Sequence, residues 1–426
     1  MTKKDGTTHD WINDYQQHIW PPYTQVKTAP TPLPVVATNG TTLTLADGRT
    51  LVDGIASWWT ACHGYNHPHI TAAVEAQLKK MPHVMFAGLA HEPAAQLAAR
   101  LAKIAPAGLK RVFFSDSGSV AVEVAMKMAV QYWVNKGTPK RDRFITFRHG
   151  YHGDTMGAMS LCDTEDGMHA IFKHYMPMQY NIAVPSDEYS FAEFDELLGA
   201  MKKNIAGVVI EPLVQGAGGM KFHTADILAE IYRITKKHEL LFIADEVFTG
   251  FGRTGHMFAC QEAGITPDIL CVGKALTGGT LSLAATLATE EIFNAFLSDK
   301  HEAALMHGPT YMANPLACAA ANASLDVFEK EPRLKQVEAI EQQLSDVLKP
   351  CRKMDNVYDL RVKGAIGVVQ LEKADRAMIL HLRKKFVEQG VWLRPFGDVI
   401  YLTPAFTIME KDLGALTDSI IRTLKD

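Results

Sequence analysis

The sequence predicts an α/β fold built on a largely parallel sheet, and two observations carry that prediction. Short apolar runs recur through the middle of the chain: RVFFS (111–115), RFITF (143–147), AGVVIEP (206–212), LLFIADE (240–246) and DILCVG (268–273). Their β-branched and aromatic content and turn-rich borders suit strands buried on both faces. Between them lie helical periods, with Val120, Val124, Met128 and Tyr132 at intervals of four and Ile227, Ile231 and Ile234 spaced similarly. Strand and helix in alternation call for a parallel sheet covered on both sides.

In chain order, TTLTLADGRTLVDG comes first, a hairpin signal with Asp47-Gly48 at its turn. The alternating strands and helices follow. Beyond Glu329-Lys330-Glu331-Pro332 the character changes: a charged helix over 333–348, a strand pair around Gly364 to Leu371, a helix over 375–388, strands near 391–403 and a last helix over 411–424. This pattern predicts a large domain over 61–330 and a smaller α/β domain that combines an N-terminal segment (1–60) with the C-terminal part (331–426).

Composition narrows the function classes. The 426 residues are 47% hydrophobic and 21% charged, ordinary for a globular protein with a large core. With 43 basic and 47 acidic residues the formal charge is −4, which offers no electrostatic case for nucleic acid or an anionic membrane. No stretch approaches the roughly 20 apolar residues of a membrane helix. The start, MTKKDGTTHDWINDYQ, has two lysines with no apolar run behind them, unlike a secretory signal. Cys62, Cys162, Cys260, Cys271, Cys318 and Cys351 lie far apart without a C-x-x-C pair, which suits reduced thiols in a cytoplasmic protein.

Four places can carry chemistry. Lys274 ends an apolar strand in CVGKALTGG. A phosphate-binding loop needs a glycine five positions before the Gly-Lys and Ser or Thr after it, and here Asp268 and Ala275 stand there. A shielded amine can instead be a neutral nucleophile that forms a Schiff base; the alternative is a strand-end lysine in solvent. Asp245 ends LLFIADE at the carboxyl edge of a strand, where sites in open α/β sheets gather. It can pair with a cationic ring nitrogen or merely cap a turn. Glu246 points the other way, because side chains alternate along a strand. SDSGSVAVEVAMKMA (115–129) puts Gly118 and Ser119 at a helix N-terminus, suited to a phosphate. HGYHGDT (149–155) places Tyr151 where its ring can stack on a planar group; otherwise Tyr151 and His152 are buried and satisfied by backbone. The histidines of HGYNHPH (63–69) lack the helical spacing and cysteine partners of a metal site, so no metal is expected.

Together IADEVFTGFGRTG (243–255) and DILCVGKALTGG (268–279) resemble the class III aminotransferases of pyridoxal-phosphate fold type I. The resemblance implies a large cofactor-binding domain with a mostly parallel sheet and a smaller domain from both termini. It implies that pyridoxal 5′-phosphate is linked to Lys274, that Asp245 holds its ring nitrogen and that Tyr151 stacks on its ring. Gly118 and Ser119 match the phosphate cup. HGPTYMANPLACAAA (307–321) matches the segment in which Gly308, Pro309 and Thr310 reach the neighbouring subunit, implying a homodimer with shared sites.

DGIASWWTACHGYNHP, HVMFAGLAHEPA, DSGSVAVEVAMKMAVQYW and VWLRPFGDVIYLTP narrow the resemblance to the biotin-pathway members of that class. It then implies transamination of 8-amino-7-oxononanoate to 7,8-diaminononanoate, with S-adenosylmethionine as donor. Tyr23, Trp58, Trp59, Tyr151, Lys274 and Gly308 would contact substrate, and Arg394 would bind the acceptor carboxylate. Core packing is the alternative for the tryptophans and a strand-end salt bridge for Arg394. The family commonly has His-Pro before this tyrosine, whereas this chain has Pro21-Pro22. Lysine as donor, or another ω-amine substrate, remains the competing reading.

Overall fold

The computed structural model describes residues 11–165 and 167–425. The first ten residues of the expected N-terminal segment, Asp166 and Asp426 lie outside the described residues.

Seven strands form the central sheet, in the order Leu109–Ser115, Ala284–Thr289, Ile269–Val272, Leu241–Asp245, Ile205–Ile210, Arg143–Phe147 and Tyr180–Ile182. All run parallel except Ala284–Thr289, which is antiparallel to both neighbours. The strands Ile205–Ile210, Leu241–Asp245 and Ile269–Val272 are buried at every position, as continuous apolar runs in a doubly covered sheet require. Two strands escape the apolar-run criterion. AATLAT (284–289) is rich in alanine, a poor strand former, and Tyr180–Ile182 is a three-residue edge.

The helix Gly118–Asn135 follows the first strand directly. Ser117 caps it by accepting from the Val120 N–H at 3.3 Å, and Ala121, Val124, Ala125, Met128 and Tyr132 bury one face against the sheet. Thr224 caps the helix Ala225–Lys237 in the same way, and Leu228, Ile231 and Ile234 cover the opposite side of the sheet.

The chain ends share a second, four-stranded sheet. Thr42–Leu45 and Thr50–Asp53 form the hairpin expected at Asp47-Gly48, and Val391–Trp392 then adds parallel to Thr50–Asp53. A three-stranded antiparallel sheet, Val357–Lys363, Ile366–Leu371 and Val399–Leu402, packs with the helices Arg333–Val347, Arg376–Glu388 and Glu410–Lys425. These helices match the expected spans to within two residues.

Candidate active site

A cavity of about 1160 Å³ opens between the carboxyl edge of the central sheet and the C-terminal sheet, large enough for a cofactor and a substrate together. It is lined by Lys274 and Asp245 from strand ends, Gly118 and Ser119 from the helix start, and Tyr151 from the loop after Arg143–Phe147. Tyr23, Trp58, Trp59 and Arg394 line it from the side of the chain termini. Gly308, Pro309 and Thr310 do not line this cavity; Gly308 and Thr310 are exposed.

Lys274 sits beyond the strand Ile269–Val272, with backbone φ of +45°. Burial pulls its ammonium pKa down, against the opposing charges of Asp245, Glu211 and Asp154. Its Nζ lies 4.7 Å from the centre of the Trp59 ring, so its side chain lines the cleft rather than standing in bulk solvent. Asp245 is 5% exposed, and its Oδ1 accepts from the Val247 N–H at 3.1 Å. Its Oδ2 lies 2.8 Å from Nδ1 of buried His152.

His152 therefore has a side-chain partner, not the backbone one its loop position suggests. Burial works against its protonation, yet the hydrogen bond and charge of Asp245, with Glu211 behind, leave its pKa above the ordinary value. Sequence reasoning missed Glu211 entirely. Its two oxygens accept from the Tyr151 and Gly216 N–H groups at 2.9 Å each, and burial raises its pKa to about 7. Glu211 stands where the apolar part of AGVVIEP stops, so its strand-end position was the available signal. Glu246 turns away, accepting from the Ala259 and Cys260 N–H groups at 2.7 and 2.8 Å.

The helix start at Gly118 is tied to the aromatic loop. Ser119 Oγ lies 2.7 Å from Thr155 Oγ1 and accepts from the Thr155 N–H at 3.0 Å. A Cβ at Gly118 would lie 2.7 Å from Val247 Cγ1, so only glycine leaves this corner uncrowded. First-turn N–H groups without intrahelical partners, together with the helix dipole, favour an anion there. Tyr151 Oη donates to Asp154 Oδ1 at 2.9 Å, and Tyr23 Oη donates to Asp154 Oδ2. Asp154 thus joins the N-terminal segment to the aromatic loop, a link invisible to local sequence patterns.

The paired tryptophans divide. Ala56, Ser57, Trp58 and Trp59 have φ of 44°, 48°, 56° and 75°, a left-handed turn of L-residues. Such a conformation costs about 1–2 kcal/mol per residue. Buried Asp53 offsets it by accepting from the Ile55 N–H at 2.8 Å, the Ser57 N–H at 3.0 Å and Tyr65 Oη. The turn sends Trp59 into the core against Phe248, with ring centres 4.2 Å apart, while its edge still meets the cavity. Trp58 remains 37% exposed. The Arg394 guanidinium lies 4.4 Å from the Trp58 ring centre and forms no ion pair among the described residues, so the salt-bridge alternative fails. Burial lowers its pKa, with Tyr401 and Tyr23 acting in the other direction.

Elsewhere, the histidines of 63–69 are engaged in packing contacts. His63 meets Ser324 and Arg333, His67 meets Glu331, and His69 meets Asp326. Among the described residues no cluster of three or more His, Cys, Asp or Glu could hold a metal ion, and no helix is long and apolar enough to cross a membrane. All six cysteines are buried and unbridged.

The profile of the family described as aminotransferase class-III matches residues 23–424. The adenosylmethionine-8-amino-7-oxononanoate aminotransferase of Mycobacterium leprae (strain TN) is 46% identical over 415 residues, covering 95% of this chain and 94% of its own. The protein of the same name from Buchnera aphidicola subsp. Schizaphis graminum is 43% identical over 419 residues, covering 96% and 95%. The crystal structure of such an aminotransferase from Methanocaldococcus jannaschii superimposes with a TM-score of 0.91 at 34% identity, over 97% of this chain and 98% of that one. A thermostable (S)-enantioselective omega-transaminase from Thermomicrobium roseum superimposes with a TM-score of 0.90 at 29% identity, over 98% of each chain.

Proposed function

Since this chain belongs to the class-III aminotransferase family, we propose that it transfers an amino group from S-adenosylmethionine to 8-amino-7-oxononanoate, forming 7,8-diaminononanoate in biotin synthesis. The observation that carries the reading is one cavity in which an enclosed lysine, a strand-end carboxylate and a free arginine above an aromatic wall converge.

The residues suit pyridoxal 5′-phosphate: a glycine-dependent corner at a helix start, a buried carboxylate and an amine whose protonation burial disfavours. When bound, this cofactor supplies an aldehyde that accepts and returns the amino group and a ring that draws off electrons. Gly118 and Ser119 would hold the phosphate, together with Pro309 and Thr310 of the partner subunit in a homodimer. Asp245, anchored by His152 and the Val247 N–H, holds a proton on the ring nitrogen. Tyr151, its main-chain position set by Glu211, would stack on the cofactor ring. Lys274 Nζ, enclosed beside Trp59, takes the proton from the donor Cα and in the second half-reaction delivers one to C7 of the acceptor.

Both substrates use the cavity in turn. Tyr23 and Trp58 offer faces to adenine and to methylenes, and they attract a sulfonium. Arg394 receives the acceptor carboxylate, an ion pair no carboxylate among the described residues pre-empts. Gly308 of the partner subunit would reach the same substrate. The two domains meet around this site, residues 61–330 carrying the cofactor and the chain ends carrying most of the substrate contacts. Six buried thiols suit the reducing cytoplasm, where we place the enzyme.

The test is stopped-flow absorbance of each half-reaction with purified enzyme. Rapid conversion of the cofactor by S-adenosylmethionine, reversed by 8-amino-7-oxononanoate, is expected. Conversion by lysine or γ-aminobutyrate with no response to S-adenosylmethionine would overturn the donor assignment.

A further inference from the structure

We propose that Arg383 is the positioning residue for Arg394, and that the pair together sets the affinity of the cavity for a carboxylate-bearing substrate. The inference rests on the acceptor assignment above for its biological meaning, but its geometry stands independently. Arg383 lies on the helix Arg376–Glu388 and lines the same cavity as Arg394. Its Nε and one terminal nitrogen both donate to the Pro395 carbonyl oxygen, at 3.2 and 2.7 Å. That carbonyl belongs to the residue following Arg394, so the planar fork of Arg383 grips the main chain next to the second arginine.

The charge arrangement is unusual. Arg383 is half-buried, its pKa lowered first by burial and then by the positive charge of Arg394. Among the described residues neither guanidinium has a carboxylate within ion-pair distance. Two partly desolvated cations that repel each other raise the free energy of the empty site. The repulsion persists because a main-chain carbonyl, a neutral acceptor, holds Arg383 in place. An entering carboxylate relieves it, and it gains from both charges even where only Arg394 makes direct contact. Phe396 and Tyr401, with ring centres 5.5 Å apart, buttress the same turn through the Phe396–Val399 backbone pair. The turn is thus held on one side by this ring packing and backbone pair and on the other by the Arg383 fork.

This arrangement predicts discrimination by charge at one end of the ligand, without an effect on the chemistry at Lys274. Arg383→Gln retains a donor of similar reach but removes the charge and the fork. Arg383→Lys retains the charge but grips Pro395 at a single point.

The experiment is calorimetric titration of the cofactor-loaded enzyme with nonanoate and with its methyl ester, which needs no turnover. A wrong amino-donor assignment therefore leaves the result readable. Wild type should bind nonanoate more tightly than the ester. In Arg383→Gln the nonanoate Kd should rise by about tenfold, the scale of one hydrogen bond to a charged group, with ester binding unchanged. Arg383→Lys should show a smaller loss in the same direction, and it carries the test if the glutamine variant fails to fold. In steady state, KM for 8-amino-7-oxononanoate should rise while kcat holds. Unchanged nonanoate binding, or equal weakening of acid and ester, would overturn the proposal.

Discussion

Replacing Asp245 by Asn keeps its shape and removes its charge. The carboxylate is 5% exposed, with one oxygen 2.8 Å from His152 Nδ1 and the other accepting from the Val247 N–H at 3.1 Å. Asparagine can keep the Val247 contact, so local unfolding is not expected. A protonated imidazole at 2.8 Å would attract the carboxylate by about 6 kcal/mol at an effective dielectric constant near 20. Part of that attraction is offset by desolvation, and removal of one preorganised group facing a reacting centre costs about 3–4 kcal/mol in transition-state stabilisation. The first half-reaction should therefore slow by roughly two to three orders of magnitude. His152 supplies a second readout. Without the Asp245 charge, burial dominates and its imidazole should lose its proton at lower pH, visible in nitrogen-15 spectra. Stopped-flow absorbance of cofactor-saturated enzyme with S-adenosylmethionine measures the rate. A variant reacting within a few-fold of wild type at full cofactor occupancy would refute the role assigned to Asp245.

Borohydride reduction followed by peptide mapping should attach the cofactor to Lys274 alone, and Lys274→Ala should retain its fold but lose transamination; label on another lysine would displace the assignment. Gly308, Pro309 and Thr310 stand outside the cavity of their own subunit. Mixing inactive Lys274→Ala with an inactive Thr310 variant should therefore restore activity through hybrid dimers, whereas an active monomer in sedimentation would contradict the shared site. Arg394→Ala should weaken the acceptor half-reaction by about 1.5–3 kcal/mol and the donor half-reaction less, as separate stopped-flow traces would show. Glu211 has a folded pKa near 7 against an ordinary 4.5. The folded chain thus holds a proton that the unfolded chain releases, and this contribution to stability falls as pH rises from about 4.5 to about 7. Thermal melts across that window should show the slope. Glu211→Gln should flatten it while lowering stability by about 1–3 kcal/mol, because an amide cannot accept from both the Tyr151 and Gly216 N–H groups.

The parallel sheet, the capped helix at Gly118 and the strand-end positions of Lys274 and Asp245 were determined by the sequence itself. Each depends on local signals, namely apolar runs, a serine cap and the abrupt change from apolar to polar at a strand end. The same local logic separates Asp245 from Glu246, and the structure sends one to the cavity and the other to the Ala259 N–H. The antiparallel strand Ala284–Thr289 escaped because alanine carries little strand signal, and only its pairing with Leu109–Ser115 and Ile269–Val272 holds it in the sheet. Tertiary structure alone decided which residues meet around the site. His152 meets Asp245 across 93 positions, Asp154 meets Tyr23 across 131, and the fork of Arg383 closes on Pro395 from a separate helix. The left-handed turn at Trp58 and Trp59 belongs to the same class, since four strained L-residues persist only where buried Asp53, held by Tyr65, fixes the surrounding backbone. Local sequence specifies where a strand stops and a helix begins, because those preferences act over a few residues. The charges and hydrogen bonds that tune a buried amine act through space, so they exist only once folding has brought distant residues together.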